Sequence, residues 1–242
     1  MTLSSCAMGV DLGRERRVDL NADLGEEITD DAGLLSVVTS ANVACGFHAG
    51  NAAIMREVCA EAARLGVAVG AQVSYADRQN FGRVALEVAY DVLRDQVEEQ
   101  VGTLSAIAGS EGTAVTYVKP HGALYHRTMD DPDQARAVLD GSGTLPVLGM
   151  PGSLWRQAVA AGRAVWHEGF PDRGYDESGR LVARGEPGAL VTDEAAIVGN
   201  ALALARRVES LCLHGDSPGA VAHARAVRVA LEAAGWELRA LA

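Results

Sequence analysis

Short runs rich in valine, isoleucine and leucine alternate along the chain with longer segments of helical period, and this alternation restricts the fold more than any other feature. From residue 17 onward there are seven such runs. They span residues 18–22, 39–45, 66–73, 115–120, 145–150, 164–169 and 210–215. A repeat of strand and helix builds a parallel sheet, because each helix carries the chain back to start the next strand in the same direction. The sequence therefore predicts an α/β fold.

The segments between the runs have the spacing of amphipathic helices. The clearest are 52–65 and 86–107, with apolar residues at every third or fourth position. The other candidates are 30–38, 132–139, 154–161, 194–208 and 220–234. No Pro- or Ser-rich linker interrupts the repeats, so we expect a single domain over residues 17–242 after an N-terminal extension at residues 1–16.

Polar residues at the strand ends decide between two parallel architectures. An open doubly wound sheet would spread them along one edge, whereas a closed barrel brings the carboxyl ends of all strands to one face, where active sites are assembled. Polar residues lie at or just after the carboxyl end of nearly every predicted strand: Asn21 and Asp23, Cys45 and His48, Gln72, Lys119 and His121, Glu168, and His214 and Asp216. We predict a distorted seven-stranded (β/α) barrel, with the open sheet as the alternative.

The composition excludes several classes of function. With 32 Asp and Glu residues against 21 Lys and Arg, the net charge of −11 does not suit a nucleic-acid partner. No apolar run approaches the roughly 20 residues that span a bilayer, and the N-terminus lacks a signal-peptide pattern, so we expect no membrane partner and a cytoplasmic location. There is no CxxC pair, P-loop, Rossmann glycine motif or GxSxG motif, so the corresponding metal, nucleotide and hydrolase sites are not indicated.

The end of the first strand carries a cluster of polar side chains. Period-2 alternation places Asp19, Asn21 and Asp23 on one face. Such groups are costly to bury together unless hydrogen bonds or a cation compensate them. The cluster predicts a metal ion, a general base or a contact to a substrate amine. The alternative is that Asp23 or Glu26 only caps a turn.

Histidine and lysine side chains follow the second and fourth strands. His48 lies between glycines that let a ligand approach the backbone, although a buried structural histidine is the alternative. Lys119 ends an apolar strand, so its ammonium is expected to point into the mouth of the barrel and to bind an anion or an oxyanion. We expect its replacement to affect chemistry more than stability. Pro120 and Gly122 fix the direction of His121.

Two charged sets follow the last two strands. His214 and Asp216 close the seventh strand, where Asp216 either serves the site or caps the final helix. Glu168, Asp172 and Arg173 form the other set, which either binds substrate or belongs to a salt-linked loop. The stretch 171–192 has several glycines and no helical period, which predicts a long loop with a small hairpin, of the kind that often covers a site.

Seven sequence motifs follow one another along the chain. They are VDLNADLGE at 18–26, SANVACGFHAG at 40–50, DRQNFGR at 77–83, VKPHGALY at 118–125, FPDRGY at 170–175, GAL at 188–190 and LCLHGD at 211–216. Together they resemble the family of 5-oxoprolinase A subunits, also called the LamB/YcsF family. The resemblance implies a seven-stranded barrel of the polysaccharide-deacetylase type that takes part in ATP-dependent hydrolysis of 5-oxoproline to L-glutamate. It also implies partner subunits B and C, with ATP as a co-substrate held here or by a partner.

The resemblance also implies roles for the candidate residues. Phosphorylation of the lactam oxygen would make the ring carbon a good electrophile for water, and the reaction then needs a base, a cation and an acid. Asp23 or His48 would be the base or orient the water. Lys119 would face the phosphate or oxyanion, and His121 or His214 would protonate the leaving nitrogen. The expected substrate-binding residues are Asn21, Asn42, Gln72, Arg83, Tyr125, Glu168, Arg173 and Asp216.

Two positions depart from the family pattern. Where the family reads HAGD and GAHPSY, this chain has Asn51 and the pair Gln72 and Val73. The usual aspartate and histidine ligate divalent cations well, whereas amides are poor ligands for a transition metal, so the departures argue against a bound metal. Two alternatives stay open: a metal-dependent deacylase of carbohydrate or amide substrates, and a non-catalytic subunit that binds a lactam or a small acid.

Overall fold

The seven predicted strands form a closed parallel barrel. The computed structural model describes residues 16–28, 30–215 and 219–241. The barrel strands are β1 (Arg17–Leu24), β2 (Ser40–Ala44), β3 (Ala68–Val73), β4 (Val115–Pro120), β5 (Val147–Gly149), β6 (Val165–Gly169) and β7 (Ser210–Leu213). They pair in chain order, and β1 pairs with both β2 and β7, which closes the ring. The predicted barrel is confirmed, and the open-sheet alternative is wrong.

The barrel is distorted where its strand pairing is sparse. A single residue pair, Val118 with Val147, joins β4 to β5, and two pairs join β6 to β7. The register between β3 and β4 also shifts between Val69 and Gly70. A further strand, β8 (Glu237–Leu238), pairs with the first residues of β1 outside the ring. The sequence does not predict β8, because two residues are too few to show a period.

Eight α-helices lie in the described part of the chain. They are α1 (Asp31–Leu35), α2 (Ala52–Leu65), α3 (Tyr90–Ser110), α4 (Gly122–Asp130), α5 (Pro132–Gly141), α6 (Ser153–Ala160), α7 (Glu194–Leu204) and α8 (Ala220–Ala233). Seven overlap the predicted segments. The sequence misses α4 because Pro120 and Gly122 indicate a turn. Gly122 has a φ of 59°, which lets the chain turn from β4 into α4. None of these helices is long and apolar enough to cross a membrane.

Alternation along β1 separates an apolar outer face from a polar interior. Leu20 and Leu24 are fully buried and belong to the apolar core that the helices share. The intervening residues Asp19, Asn21 and Asp23 point into the barrel, where they contact polar side chains of neighbouring strands. The predicted polar face of β1 is therefore the inside of the barrel.

The segment after β6 forms a small hairpin, as predicted. Arg173 pairs with Leu190, and Tyr175 pairs with Leu181, in antiparallel bridges. The buried guanidinium of Arg173 donates to the backbone carbonyl oxygens of residues 182 and 189. Arg173 thus holds together the two sides of what we call the 173–190 hairpin.

Gly70→Ala is expected to destabilise the barrel, because Gly70 leaves room inside it for the ring of Tyr117. A Cβ atom at position 70 would lie 2.1 Å from a ring carbon of Tyr117. Overpacking of this kind typically lowers the free energy of unfolding by about 1–3 kcal/mol. Gly102→Ala on α3 is the control: its Cβ meets no atom within 4 Å, and this exchange in a helix typically raises the free energy of unfolding by about 0.5–1 kcal/mol. Urea denaturation measures both, and equal stability of the two variants would contradict the packing.

Candidate active site

A cavity of about 310 Å³ opens at the carboxyl ends of the strands. Its volume is typical of small-molecule sites. Seven residues predicted for the site line it: Asp23, Arg83, Lys119, His121, Tyr125, Arg173 and His214. Phe170 and, from the 173–190 hairpin, Leu181 and Arg184 also contribute to the wall. The hairpin therefore borders the cavity, as predicted for a loop that covers a site.

Lys119, the only lysine of the chain, is buried in the floor of this cavity. Its Nζ atom lies 2.9 Å from Oε2 of Glu168 and 3.3 Å from Oδ1 of Asp23, and the residue is 3% exposed. Burial alone would lower the pKa of an ammonium, but Asp23, Cys212 and Glu168 raise this pKa well above its ordinary value. Lys119 is therefore held as a cation and not as a neutral amine nucleophile.

The same pairing keeps the Asp23 carboxylate ionised. Burial would raise the pKa of Asp23, but the charges of Lys119 and His214 hold it well below its usual range. Nδ2 of Asn42 contacts Oδ1 of Asp23 at 2.9 Å and Oδ1 of Asn21 at 2.7 Å, and Asn21 in turn lies 3.5 Å from the Lys119 ammonium. The two asparagines predicted to bind substrate thus lie beneath the cavity and position its charged pair.

Below Asn21 the polar network ends on Asp19. Nδ2 of Asn21 donates to Oγ of Ser210 at 2.6 Å. The hydroxyls of Ser210, Ser40 and Thr39 all donate to the Asp19 carboxylate. Burial raises the pKa of Asp19 although these hydrogen bonds oppose the shift. Asp19 is thus satisfied by hydroxyl groups and supports the site from inside the barrel.

His214, at the end of β7, pairs with a buried carboxylate. Its Nδ1 atom lies 3.0 Å from Oδ2 of Asp172, and its backbone N–H donates to the same oxygen at 2.9 Å. Its ring stacks on Phe170 at a centroid distance of 5.5 Å. Burial would lower the pKa of the imidazole, but Asp172 and, to a smaller extent, Asp23 raise the pKa of His214 above its ordinary value. Asp172 therefore favours the charged form of His214, which lines the cavity.

A second buried group, which we call the Glu26 cluster, lies behind His121 and consists of Glu26, His48, Gln72 and His121. Oε1 of Glu26 is 3.6 Å from Nε2 of His48 and 3.5 Å from Nδ1 of His121. The two imidazole rings stack at 4.0 Å. Nε2 of Gln72 donates to Oε1 of Glu26 at 3.1 Å and to Nδ1 of His121 at 3.0 Å. Glu26, His48 and His121 have the spacing of a group that could hold a metal ion.

Hydrogen bonds fix His121 as a neutral imidazole. Because the Gln72 amide nitrogen donates to Nδ1, the ring proton is on Nε2, which donates to the carbonyl oxygen of Phe81 at 3.1 Å. Burial and the neighbouring His48 lower the pKa of His121 well below its ordinary value. Phe81 has a φ of 57°, which is uncommon for a bulky residue and directs its carbonyl towards His121.

Several predicted residues lie elsewhere. His48 and Gln72 are one layer behind the cavity wall, and Glu168 is buried behind Lys119. Asn51 is the exposed N-cap of α2, where its Oδ1 accepts from two backbone N–H groups, so its interpretation as a metal-ligand position is wrong. Asp216 lies outside the described residues, as do residues 1–15 of the predicted extension.

Three further residues of the site are not among those that the sequence predicts for it. The sequence indicates a turn-capping role for Glu26, and for Asp172 it leaves open substrate binding or a place in a salt-linked loop. The available signal for Glu26 is its position three residues after Asp23, beyond the end of β1, where the chain leaves strand geometry and can direct both carboxylates to one side. Arg184 lies in a stretch without period, and nothing in the sequence pattern distinguishes it from the other arginines of the hairpin.

Comparison with known proteins gives a consistent result over most of the chain. The model of the LamB/YcsF family matches residues 18–242. A Streptomyces avermitilis protein, named as the A subunit of 5-oxoprolinase, is 54% identical, covering 93% of this chain and all of the relative. The crystal structure of the lactam utilization protein from Thermus thermophilus has a TM-score of 0.86 at 37% identity, covering 93% of this chain and all of that one.

A more distant likeness concerns the fold alone. The peptidoglycan N-acetylglucosamine deacetylase Bc1960 has a TM-score of 0.56 at 15% identity, covering 93% of this chain and 85% of that one. The barrel is thus of the type that the sequence predicts, shared with a polysaccharide deacetylase.

Lys119→Met is expected to destabilise the fold, contrary to the expectation that a substitution here affects chemistry more than stability. Its loss removes the ion pairs of two buried carboxylates, Asp23 and Glu168, and breaking a buried ion pair typically costs about 3–5 kcal/mol. Urea denaturation should show a loss of this size. Adding Glu168→Gln should recover part of it, because one uncompensated carboxylate is removed. A loss below about 1 kcal/mol, as for exposed ion pairs, would contradict this account.

Proposed function

The chain belongs to the LamB/YcsF family, and from this membership we propose that it is the A subunit of an ATP-dependent 5-oxoprolinase that hydrolyses the lactam of 5-oxoproline to L-glutamate. The names of its relatives, which are those of a 5-oxoprolinase component and a lactam utilization protein, support the proposal. The observation that carries it is the buried Lys119 cation in a cavity that also presents His214, whose charged form is favoured by Asp172. Amide cleavage needs both groups, one for the oxyanion and one for the leaving nitrogen.

The proposed reaction overcomes the stability of the lactam by activating its carbonyl. ATP transfers its γ-phosphoryl group to the lactam oxygen and leaves as ADP. Water then adds to the ring carbon, and the C–N bond breaks as the nitrogen takes a proton. The resulting acyl phosphate reacts with a second water to give L-glutamate and phosphate. Negative charge on the substrate oxygens increases along this sequence, so a fixed cation beside them lowers the barrier.

Lys119 and Asp23 are placed to act on the carbonyl and on the water. Both line the cavity, and their mutual contact keeps both charged. Lys119 would stabilise the phosphorylated or anionic oxygen. Asp23, with its lowered pKa, is a weak base, so its role would be to accept a hydrogen bond from the attacking water and orient it.

Of the two candidate acids, the geometry favours His214. Both ring nitrogens of His121 are already engaged, Nδ1 by Gln72 and Nε2 by the carbonyl of Phe81. His214 is held in its charged form by Asp172 through Nδ1, which leaves Nε2–H as the proton to donate. In this proposal His214 protonates the leaving nitrogen, and Asp172 orients the ring.

The arginines of the cavity fit the carboxylate that 5-oxoproline carries. Arg83 and Arg184 line the cavity, and the buried Arg173 holds the hairpin from which Arg184 projects. With Lys119 and His214 they make the cavity cationic in a chain whose net charge is −11. Guanidinium groups bind carboxylates by charge-assisted hydrogen bonds. We assign recognition of the substrate carboxylate to Arg83 and Arg184.

The nucleotide and the partners belong to the proposal as well. The chain has no P-loop or Rossmann motif, so ATP would be bound by a B or C subunit, and the relatives' designation as one subunit of 5-oxoprolinase implies that such partners exist. The second candidate function is a metal-dependent deacylase, which the Glu26 cluster favours because its donors could hold an ion. A deacylase of that kind needs neither ATP nor partners, which makes the two functions separable.

The proposal is tested by glutamate release from 5-oxoproline, with this chain, candidate B and C subunits and ATP each omitted in turn. We expect glutamate and ADP in equal amounts from the complete mixture alone. Hydrolysis without ATP would support the deacylase. A complete mixture whose rate is unchanged by His214→Gln would indicate a non-catalytic binding subunit.

Arg184→Ala is expected to raise the KM for 5-oxoproline, because a charged hydrogen bond worth about 1.5–3 kcal/mol corresponds to roughly 10- to 100-fold in affinity. Arg180→Ala is the matched control on the same hairpin. Arg180 pairs with the exposed Asp130 at 2.6 Å, does not line the cavity and should leave KM unchanged. Equal effects of the two substitutions would contradict the assignment of Arg184.

The pH dependence of kcat/KM should show an alkaline limb set by His214. The charged form is the acid, so activity is lost as the pH rises through the raised pKa of His214. Asp172 and Asp23 raise this pKa and Arg184 opposes them. Asp172→Asn should therefore move the limb to lower pH, by about 1–2 units for the loss of an adjacent charge. Asp133→Asn on α5, an exposed carboxylate away from the cavity, is the control. If the alkaline limb of Asp172→Asn lies at the same pH as that of the unaltered protein, His214 is not the acid.

A further inference from the structure

We propose that Glu26, His48 and His121 form a binding site for one divalent first-row transition-metal ion, with the side-chain oxygen of Gln72 turning in as the fourth ligand. The site borders the cavity through His121 but does not depend on the proposed reaction. The test of this site is ion binding, so a negative result would leave the proposed 5-oxoprolinase function unaffected.

The spacing of the donor atoms fits a single ion. Oε1 of Glu26 lies 3.6 Å from Nε2 of His48 and 3.5 Å from Nδ1 of His121, and all three donors lie within 4.8 Å of one another. Ligands about 2.0–2.2 Å from a tetrahedral zinc ion are about 3.3–3.6 Å apart. The carboxylate oxygen is therefore already at ligand spacing from each imidazole nitrogen.

His48 shows a second, independent sign of a missing partner. The residue is 1% exposed, yet no described residue makes a hydrogen bond to either of its ring nitrogens. Buried polar atoms are almost always satisfied, so each exception needs an explanation. Nε2 points towards Glu26 from just beyond hydrogen-bond distance, and an ion between the two would satisfy both.

Gln72 explains how the cluster is held together without an ion. Its amide nitrogen donates to Glu26 and to His121, the same two atoms that would bind a metal, while its Oε1 is buried and makes no hydrogen bond within the described part of the chain. A half-turn of the amide exchanges the nitrogen for the oxygen and directs a ligand atom into the cluster. The side chain would thus act as a two-position switch between an ion-free and an ion-bound state.

The donor set indicates the class of ion. Two imidazoles, a carboxylate and an amide oxygen suit zinc, iron(II), cobalt or manganese better than calcium or magnesium, which prefer all-oxygen sites. Binding has to displace the Gln72 hydrogen bonds and tilt the two imidazole rings from their stack, whose planes differ by 12°. The affinity is therefore expected to be moderate, in the micromolar range.

The experiment titrates the full-length chain, stripped by a chelator, with Co²⁺ followed by its visible absorption, and with Zn²⁺ in competition. We expect one ion per chain. His48→Ala and Glu26→Gln should each weaken binding at least tenfold, since even loss of a residue that only supports a ligand costs about 10- to 100-fold. Gln72→His should strengthen binding at least tenfold, because it replaces a weak amide ligand with an imidazole.

Two controls separate this site from other ion contacts. His223→Ala removes a histidine of α8 outside the cluster, and Asn51→Asp adds a carboxylate at the exposed cap of α2; neither should change the affinity. If a ligand variant does not fold, Co²⁺ added to the unaltered chain should still shift the imidazole NMR signals of His48 and His121. The proposal is overturned if no ion binds with micromolar affinity, or if binding is indifferent to Glu26→Gln and His48→Ala.

Discussion

The ammonium of Lys119 is buried between the carboxylates of Asp23 and Glu168, and the arrangement of the barrel mouth depends on this contact. A buried charge is tolerated only when it is paired, so the ends of β1, β4 and β6 have to stay together around it. The contact spans the side of the barrel where strand pairing is thinnest, with a single residue pair between β4 and β5. Side-chain charges thus connect strands that share few backbone hydrogen bonds.

The histidines around the cavity have different properties because their surroundings differ. Asp172 raises the pKa of His214 and favours its charged form, whereas burial and His48 lower the pKa of His121, whose two ring nitrogens are both engaged in hydrogen bonds. One imidazole is therefore available as an acid and the other as a ligand. The proposed proton transfer thus belongs to His214, which lines the cavity, and the proposed ion binding belongs to the Glu26 cluster behind His121.

Much of this architecture follows from local sequence patterns. Period 2 in β1 is enough to place Asp19, Asn21 and Asp23 on one face, and the position of Lys119 at the end of an apolar strand is enough to place it in the mouth of the barrel. The patterns do not show whether a side chain contacts a ligand or instead positions the residues that contact it. Asn21 and Asn42 are therefore predicted to bind substrate, although they hold Asp23 and Lys119 from below.

Long-range contacts leave no local period, and two further differences between the sequence analysis and the structure follow from this. The sequence gives no sign of the contact between Lys119 and Glu168, which lies far away in sequence, and the stability loss expected on removing Lys119 follows from that contact. The interpretation of Asn51 and Gln72 as equivalent departures is wrong because one caps a helix at the surface and the other lies in the interior. The sequence does not predict helix α4, because Pro120 and Gly122 indicate a turn at the point where the helix begins.

The charge state of Lys119 tests the central claim most directly, and the sequence makes the measurement simple because the chain has no other lysine. Protein labelled with ¹⁵N-lysine should give one side-chain NMR signal. We predict a fully protonated ammonium at neutral pH whose hydrogens exchange slowly with water, because Asp23 and Glu168 enclose it. A neutral amine, or an ammonium that exchanges as fast as free lysine, would contradict the buried ion pair on which the site is built.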